Sequence, residues 1–446
     1  MNKHISKILC FFLAGAITIS LAACVKGPTT GGDVNTRSNG TGDKTEKKVT
    51  LKLWHIWAAD TETQKKPFEQ ILKDFQKENP NIKLQVDAYE NETYKTKIKT
   101  AVAVQEAPDI FFTWGAGFAK PFVTSNSVLP LDDYLKDGTR EKISKGMFDY
   151  FIYDEKIYGL PMYMWSAVLY CNQELFDKND VKIPETYEEL LTAVKAFNSK
   201  GIVPLTCGEK ERWPGMFFQN ILAIRTAGVK KCNEALSGEA SFNQPEFVES
   251  AAKLEELVKA GAFDKGAMAL TKDESEAAFK QGKVAMYYMG NWPAGSFDAD
   301  DSPIKGKVVC RNFPAITDSK GDANGFLGGS IESFMISSNT QAKEEAVKVV
   351  KYISEKMSEQ ASVVGFGMPA WNGEIDKSKI LPTNAQIFEL VKDTTGYVLA
   401  WDTFLEGADA DTHKSLVAEI FAGTKTPEQF AEEMQKINEN KAQNKP

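Results

Sequence analysis

Apolar and polar residues alternate at Val49, Leu51 and Leu53, which predicts a strand at the start of VTLKLWHIW (49–57). Phe68, Ile71, Leu72 and Phe75 then recur at helical spacing, and Asn79-Pro80 ends that run. Ile82, Leu84 and Val86 alternate again. A second helix is expected over about 92–106, followed by an apolar strand at Asp109-Ile110-Phe111-Phe112. The order β-α-β-α-β predicts a parallel sheet with helices on both faces. Ligands of such sheets sit beyond the carboxyl ends of the strands, which directs attention to residues 54–60 and 113–117. Further on, Thr186 and Glu189 form a capping box for a helix to about Ser199, closed by Gly201. Residues 279–289 read as a helix end, a turn at Gly282 and a strand. Residues 340–357 form an amphipathic helix. A second capping box at Thr426-Pro427-Glu428-Gln429 opens the last helix.

The first residues follow a different pattern. Lys3 and Lys7 precede an apolar run from Ile8 to about Ile19, then Leu21-Ala22-Ala23-Cys24. A basic start, a short apolar stretch and small residues describe a signal peptide over 1–23, and the apolar stretch is too short to span a bilayer well. Leu-Ala-Ala-Cys resembles the bacterial lipobox, so Cys24 is the expected site of lipidation and the new N-terminus. Residues 25–48 are rich in Gly and polar residues with no aromatic side chain. They read as a disordered tether reaching about 25–30 Å.

Composition narrows the function. The 446 residues carry 53 Lys+Arg, 61 Asp+Glu and three His, for a net charge of −8. An acidic chain lacks the basic face that nucleic acid requires. So few His leave little for a metal centre or a His-based catalytic apparatus, and no cofactor is expected. His4 departs with the leader; His413 reads as a surface or packing residue, whereas His55 lies near the proposed site. There is no GxxxxGK[ST], GxSxG or HExxH. Asp298-Ala299-Asp300-Asp301 and Asp409-Ala410-Asp411 begin like calcium loops but lack the Gly and Glu that complete one. Of six Cys, Cys10 leaves with the leader and Cys24 takes lipid. Cys171, Cys207, Cys232 and Cys310 permit three pairings, but none forms CxxC, and four buried thiols are favoured.

Eight Trp remain, at 54, 57, 114, 165, 213, 292, 371 and 401. Core packing accounts for many Trp in any protein. Here Trp114, Trp213, Trp292 and Trp371 are flanked by Gly, Pro or polar residues that read as loops, where binding residues concentrate. Trp54, within a strand, fits the core. A pyranose ring presents a C–H face to an aromatic plane and hydroxyls to carboxylates and amides. Asp60, Glu90, Asn291, Glu332 and Asp402 lie close in sequence to the Trp-bearing segments and fit the second role. Trp57, Trp114, Trp213 and Trp371 fit the first.

Four stretches resemble one family. They are APDIFFTW with VLPLDDYL (128–135), YDEKIYGLPMYMWSAVLYCNQELFDKNDVKIPETYEELL (153–191), FKQGKVAMYYMGNWPAGSF (279–297), and FLGGSIESFMIS (326–337) with the EEAVKVVKYI helix. Residues 49–440 resemble the family 1 extracellular solute-binding proteins, the carbohydrate receptors of bacterial ABC importers related to maltose-binding protein. Cys171 departs from the pattern, where Tyr is common. The resemblance implies an α/β, two-lobed periplasmic-binding-protein-like fold (type II) with hinge crossovers and an inter-lobe cleft. Residues 49–160 and about 315–370 would form lobe 1, and 161–314 and about 371–446 lobe 2. It implies binding roles for Trp292, Trp401, Trp165 and Tyr163. It further implies a monomer anchored by lipid at the outer face of the cytoplasmic membrane. That monomer would take a mono- or oligosaccharide and deliver it to permease subunits. A surface glycoside hydrolase, needing paired carboxylates, and a glycan adhesin remain alternatives.

Overall fold

Leu51 and Leu53 are fully buried in the strand Val49–His55, as their alternation requires. That strand pairs in parallel with Ile82–Ala88 on one side and Ile110–Trp114 on the other. Between them, the helix Lys65–Glu78 buries Phe68, Ile71, Leu72 and Phe75. Its end is closed by Asn79, whose side-chain amide donates to Phe75 O at 2.9 Å. The next helix, Asn91–Ala103, stops short of residue 106 because Gln105 adopts a left-handed conformation, φ 59°. The computed structural model describes residues 48–443. The expected leader, Cys24 and nearly all of the tether lie outside those residues.

The smaller sheet has the order Ile82–Ala88, Val49–His55, Ile110–Trp114, Glu332–Ile336, Leu160–Pro161. Its first three strands are parallel as expected. The return strand Glu332–Ile336 runs antiparallel to Ile110–Trp114, so the sheet is mixed. The larger sheet is built around Tyr163–Asn172, an almost wholly buried strand of ten residues. It pairs antiparallel with Val284–Gly290, Val308–Arg311, Gly325–Gly329 and Met368–Pro369. A strand buried on both faces reads as a continuous apolar run rather than an alternating one. Gly325–Gly329 still pairs in this larger sheet, and the chain joins the smaller one only at Glu332. The passage between sheets therefore lies at Ser330-Ile331, later than the boundary near 315 that the sequence suggested.

Two of the chain's passages between the sheets run in adjacent strands, and a third runs through the helix Lys343–Val364 to Met368–Pro369. Leu160–Pro161 pairs with Ser333 and Phe334 in the smaller sheet, while Trp165 and Ser166 pair with Gly329 and Gly328 in the larger. The two crossing segments are thus bonded side by side. Gly328 has φ +153°, and a Cβ there would lie 2.2 Å from Trp165 O, so only glycine allows this approach.

Both expected capping boxes are present. The Thr186–Glu189 box starts Tyr187–Ser199 with both reciprocal bonds. Thr426 and Gln429 exchange bonds of 3.0 and 3.3 Å at the start of Pro427–Gln443. A third box, Thr271 with Glu274, starts the helix Lys272–Lys280 and was not anticipated. The stretch EKERWPG, read as a loop, instead contains the start of the long helical segment Trp213–Ser237, which is broken at Gly228 (φ 85°, ψ 161°), with Pro214 in its first turn. Trp114 closes a strand rather than following one. Cys171, Cys207, Cys232 and Cys310 are buried free thiols.

Candidate ligand cleft

A cavity of about 740 Å³, counting its solvent-open mouth, lies where the two sheets meet. One wall is aromatic and the other polar.

The aromatic wall consists of Trp165, Trp213, Phe217 and Trp292. Trp165 projects from the central strand of the larger sheet. Trp213 and Phe217 stand one turn apart on the first turns of the long helix, and Trp292 follows the strand Val284–Gly290. Trp165 and Phe217 lie parallel, 3° between planes with centroids 5.5 Å apart. Trp292 meets Trp165 edge-on at 5.3 Å, and Trp213 meets Phe217 at 5.2 Å. Offset and edge contacts of this kind are the favourable arrangements of aromatic quadrupoles. A Cβ at Gly290 would lie 1.8 Å from the Trp292 ring, so the ring folds back over its own strand only because residue 290 has no side chain. Asn291 fixes the same turn, its Oδ1 accepting from Ser166 N at 3.2 Å. The helix start is held by Glu209, whose carboxylate accepts from Gly215 N at 2.7 Å.

The polar wall draws Glu62 and Gln64 from the segment after the first strand, and Asn91 and Lys95 from the second helix. Glu332 comes from the return strand, Asp402 and Thr403 from near the C-terminus, and Lys272 from its helix start. Trp57 and Trp114 also line this side of the cavity. Both are embedded among Phe68, Phe112 and Phe118. Gln64 Oε1 and Asn91 Oδ1 are buried with no hydrogen-bond partner. Buried acceptors in native proteins are normally paired, so these two are positioned to accept from water or from a ligand hydroxyl. The Tyr163 hydroxyl donates to Glu332. Burial pushes the Glu332 carboxyl up to about 7, with the Tyr163 bond opposing the shift. Burial also raises Glu62.

The cavity thus gathers Trp57, Trp114, Trp165, Trp213, Trp292, Glu332 and Asp402 from the sequence-derived set. Tyr163 stands behind the wall and orients Glu332. Six others take different places. Trp401 is fully buried, stacked on His413 at 4.9 Å and against Phe242 at 5.2 Å. Its neighbours Ala400, Asp402 and Thr403 line the cavity instead, because the indole at the start of a short helix turns inward. Trp371 is also buried, its Nε1–H donating to Pro161 O at 2.9 Å beside a crossover. His55 accepts from Trp57 N at 3.1 Å through Nδ1, and burial, then Lys65, lowers its pKa to about 4, so the ring is a neutral acceptor. Asp60 is exposed and paired with Lys65 at 2.6 Å. Glu90 caps the second helix, accepting from Glu92 N and Thr93 N at 3.0 and 3.1 Å. Asn291 is a support for Trp292, as described above.

Glu62, Gln64, Asn91, Lys95, Phe217 and Lys272 line the cavity but were not anticipated. Phe217 would have been legible had Trp213 been placed on a helix, since the two are four residues apart. Asn91 is the residue after Glu90, and Gln64 lies four beyond the segment 54–60. Lys272 carried no local signal beyond the unread capping box.

Two sheets joined by paired crossovers, with an aromatic and polar cleft where they meet, define a two-lobed ligand-binding protein. The chain belongs to the bacterial extracellular solute-binding protein family, whose profile matches residues 59–360. Among its relatives is an ABC transporter extracellular-binding protein of Pyrococcus horikoshii. The two are 25% identical over 300 residues, a match spanning 66% of each chain. Another is the multiple sugar-binding protein of Streptococcus mutans, 24% identical over 79% of each chain. A solved structure from work on xylan utilization by the thermophilic bacterium Caldanaerobius polysaccharolyticus is 44% identical. It superposes with a TM-score of 0.84 over 87% of this chain and 99% of that one. A chitin oligosaccharide binding protein superposes with a TM-score of 0.81 at 26% identity, over 88% and 98%. Among the described residues, no helix is long and apolar enough to cross a membrane.

Proposed function

We propose that this chain captures an oligosaccharide between its two lobes and hands it to the permease of an ABC importer. The observation that carries the reading is the pairing of walls. A cluster of four aromatic rings faces two buried amide oxygens without donors and a carboxyl held by Tyr163. Sugar C–H faces pack on the rings, and sugar hydroxyls supply the missing donors. In this reading one lobe is the smaller sheet with its helices, and the other is the larger sheet with the C-terminal helices. Lobe closure buries the sugar, as in periplasmic binding proteins, and gives the permease a shape to recognise. The likeness to the chain from work on xylan utilization makes xylan-derived oligosaccharides the first ligands to test. The protein acts as a monomer. Cys24 carries the lipid that holds it at the membrane, where the tether raises its concentration near the permease.

Calorimetry against xylo-, cello-, malto- and manno-oligosaccharides tests the reading. Saturable binding to the xylo series, with no shortened products after long incubation, is expected. Binding to none of the four series, or steady release of shorter sugars, would overturn it. Replacing Cys24 by Ala should release the protein from the membrane fraction, and retention would remove the anchor from the account.

A further inference from the structure

Two cations reach the cavity, and both are already engaged. Lys95 Nζ lies 2.8 Å from Glu92 and 3.6 Å from Asp402. Lys272 Nζ lies 2.8 Å from Asp273, 3.5 Å from Glu276 and 3.6 Å from Glu62. Burial alone would lower both lysines. The surrounding carboxylates overrule it and hold both above the usual value, which keeps them charged and paired. The lining contains no Arg. It does contain three carboxyl groups, those of Glu62, Glu332 and Asp402.

An anionic sugar brought into this cavity meets two ammonium groups shared among five acids. It also meets Glu332, whose described partner is a tyrosine hydroxyl. Anion recognition in buried sites relies on free Lys, on the bidentate fork of Arg or on helix N-terminal amides. The lining holds neither free Lys nor Arg, and the helix starts beside it are capped by Glu90, Glu209 and Thr271. A carboxylate placed there loses its hydration and gains a like-charged neighbour, and both effects oppose it. An uncharged pyranose meets no such cost, since Gln64 Oε1 and Asn91 Oδ1 require only hydroxyl donors.

We infer that the cleft is specific for uncharged oligosaccharides and excludes sugars that carry a carboxylate, uronic acids above all. The inference rests on the sugar-binding reading and specifies its substrate class. Lys95 and Lys272 then serve to balance the acids of the wall rather than to hold an anionic ligand.

The test uses the whole chain and three linear trisaccharides at pH 8: xylotriose, xylobiose with a terminal glucosyl residue, and xylobiose with a terminal glucuronosyl residue. The last two differ only in a hydroxymethyl group and a carboxylate. The glucuronosyl sugar should bind at least about tenfold more weakly than the glucosyl one. A ratio below that overturns the inference while leaving sugar binding intact. Failure of all three, together with the neutral panel above, overturns the sugar reading and the inference with it. Asp402→Asn removes one of the two acids beside Lys95, and Glu332→Gln removes a carboxylate without changing shape. In whichever variant keeps the native circular dichroism spectrum, the ratio should shrink. A ratio unchanged in a folded variant removes the charge balance as its cause.

Discussion

The two walls of the cleft are built on opposite plans. The aromatic wall supports itself: Trp165, Trp213, Phe217 and Trp292 pack on one another, and their positions depend on rings and on one missing side chain at Gly290. The polar wall is hung from separate supports. Glu332 is oriented by Tyr163, Lys95 by two acids, and Lys272 by three. The first is a contact surface that offers area with little regard to the pattern of hydroxyls. The second has directional groups that are specific and individually replaceable. Loss of one ring should therefore cost much affinity, and loss of one polar group less.

The sharpest way to break this contrast is Trp292→Ala. Removing a central aromatic anchor should weaken oligosaccharide binding about 100-fold, with folding retained. Trp371→Phe should leave affinity unchanged, since that ring bonds to Pro161 away from the cavity. Calorimetry on both reads the difference, and equal losses would erase the distinction between cleft and core tryptophans. Next is Gly290→Ala, which pushes on the Trp292 ring without touching ligand. Affinity should fall about tenfold, with a change in Trp fluorescence reporting the displaced ring.

A third test concerns the polar wall. The Glu332 carboxyl is held up to about 7 by burial, above its usual value. The unfolded chain gives up this proton at lower pH than the folded one. The favourable contribution is present below the unfolded pKa and is lost as pH rises toward 7. Glu332→Gln does not titrate, so relative to the wild type it should gain about 2–3 kcal/mol between pH 5 and pH 8. Urea unfolding at the two pH values measures this, and a constant difference would mean that Glu332 is already charged at pH 5. The smallest effect is expected of Asp60→Asn. That side chain is solvent-exposed, and its bond to Lys65 lies outside the cavity. Affinity in calorimetry should not change.

Much of the fold was legible because its signals are local. Leu51, Leu53, Phe68 and Phe75 follow the periods of strand and helix, and Thr186 and Thr426 carry their caps in four residues. Trp213 was misread because Pro214 and its polar neighbours are equally suited to a loop and to the first turn of a helix. The site was legible in part for a related reason. Trp residues advertise themselves by type, but the direction of a ring depends on tertiary packing. Trp401 sits in a segment that reaches the cleft and still turns into the core against His413. Gln64, Asn91 and Lys272 have no unusual surroundings in sequence, and the cavity brings them together only when distant elements pack.

The four buried thiols set an order of events for an exported chain. Once folded, Cys171, Cys207, Cys232 and Cys310 are enclosed beyond the reach of solvent oxidants, and burial raises every one of them above the usual thiol range. Before folding, the same thiols are open to air and to one another, and any bond formed then ties together residues that the native core holds as free thiols, Cys171 and Cys310 on neighbouring strands among them. The chain therefore carries its own clock: collapse must outrun oxidation. Material refolded slowly without reductant should accumulate cross-linked, inactive species, whereas brief refolding under thiol protection should restore the native protein.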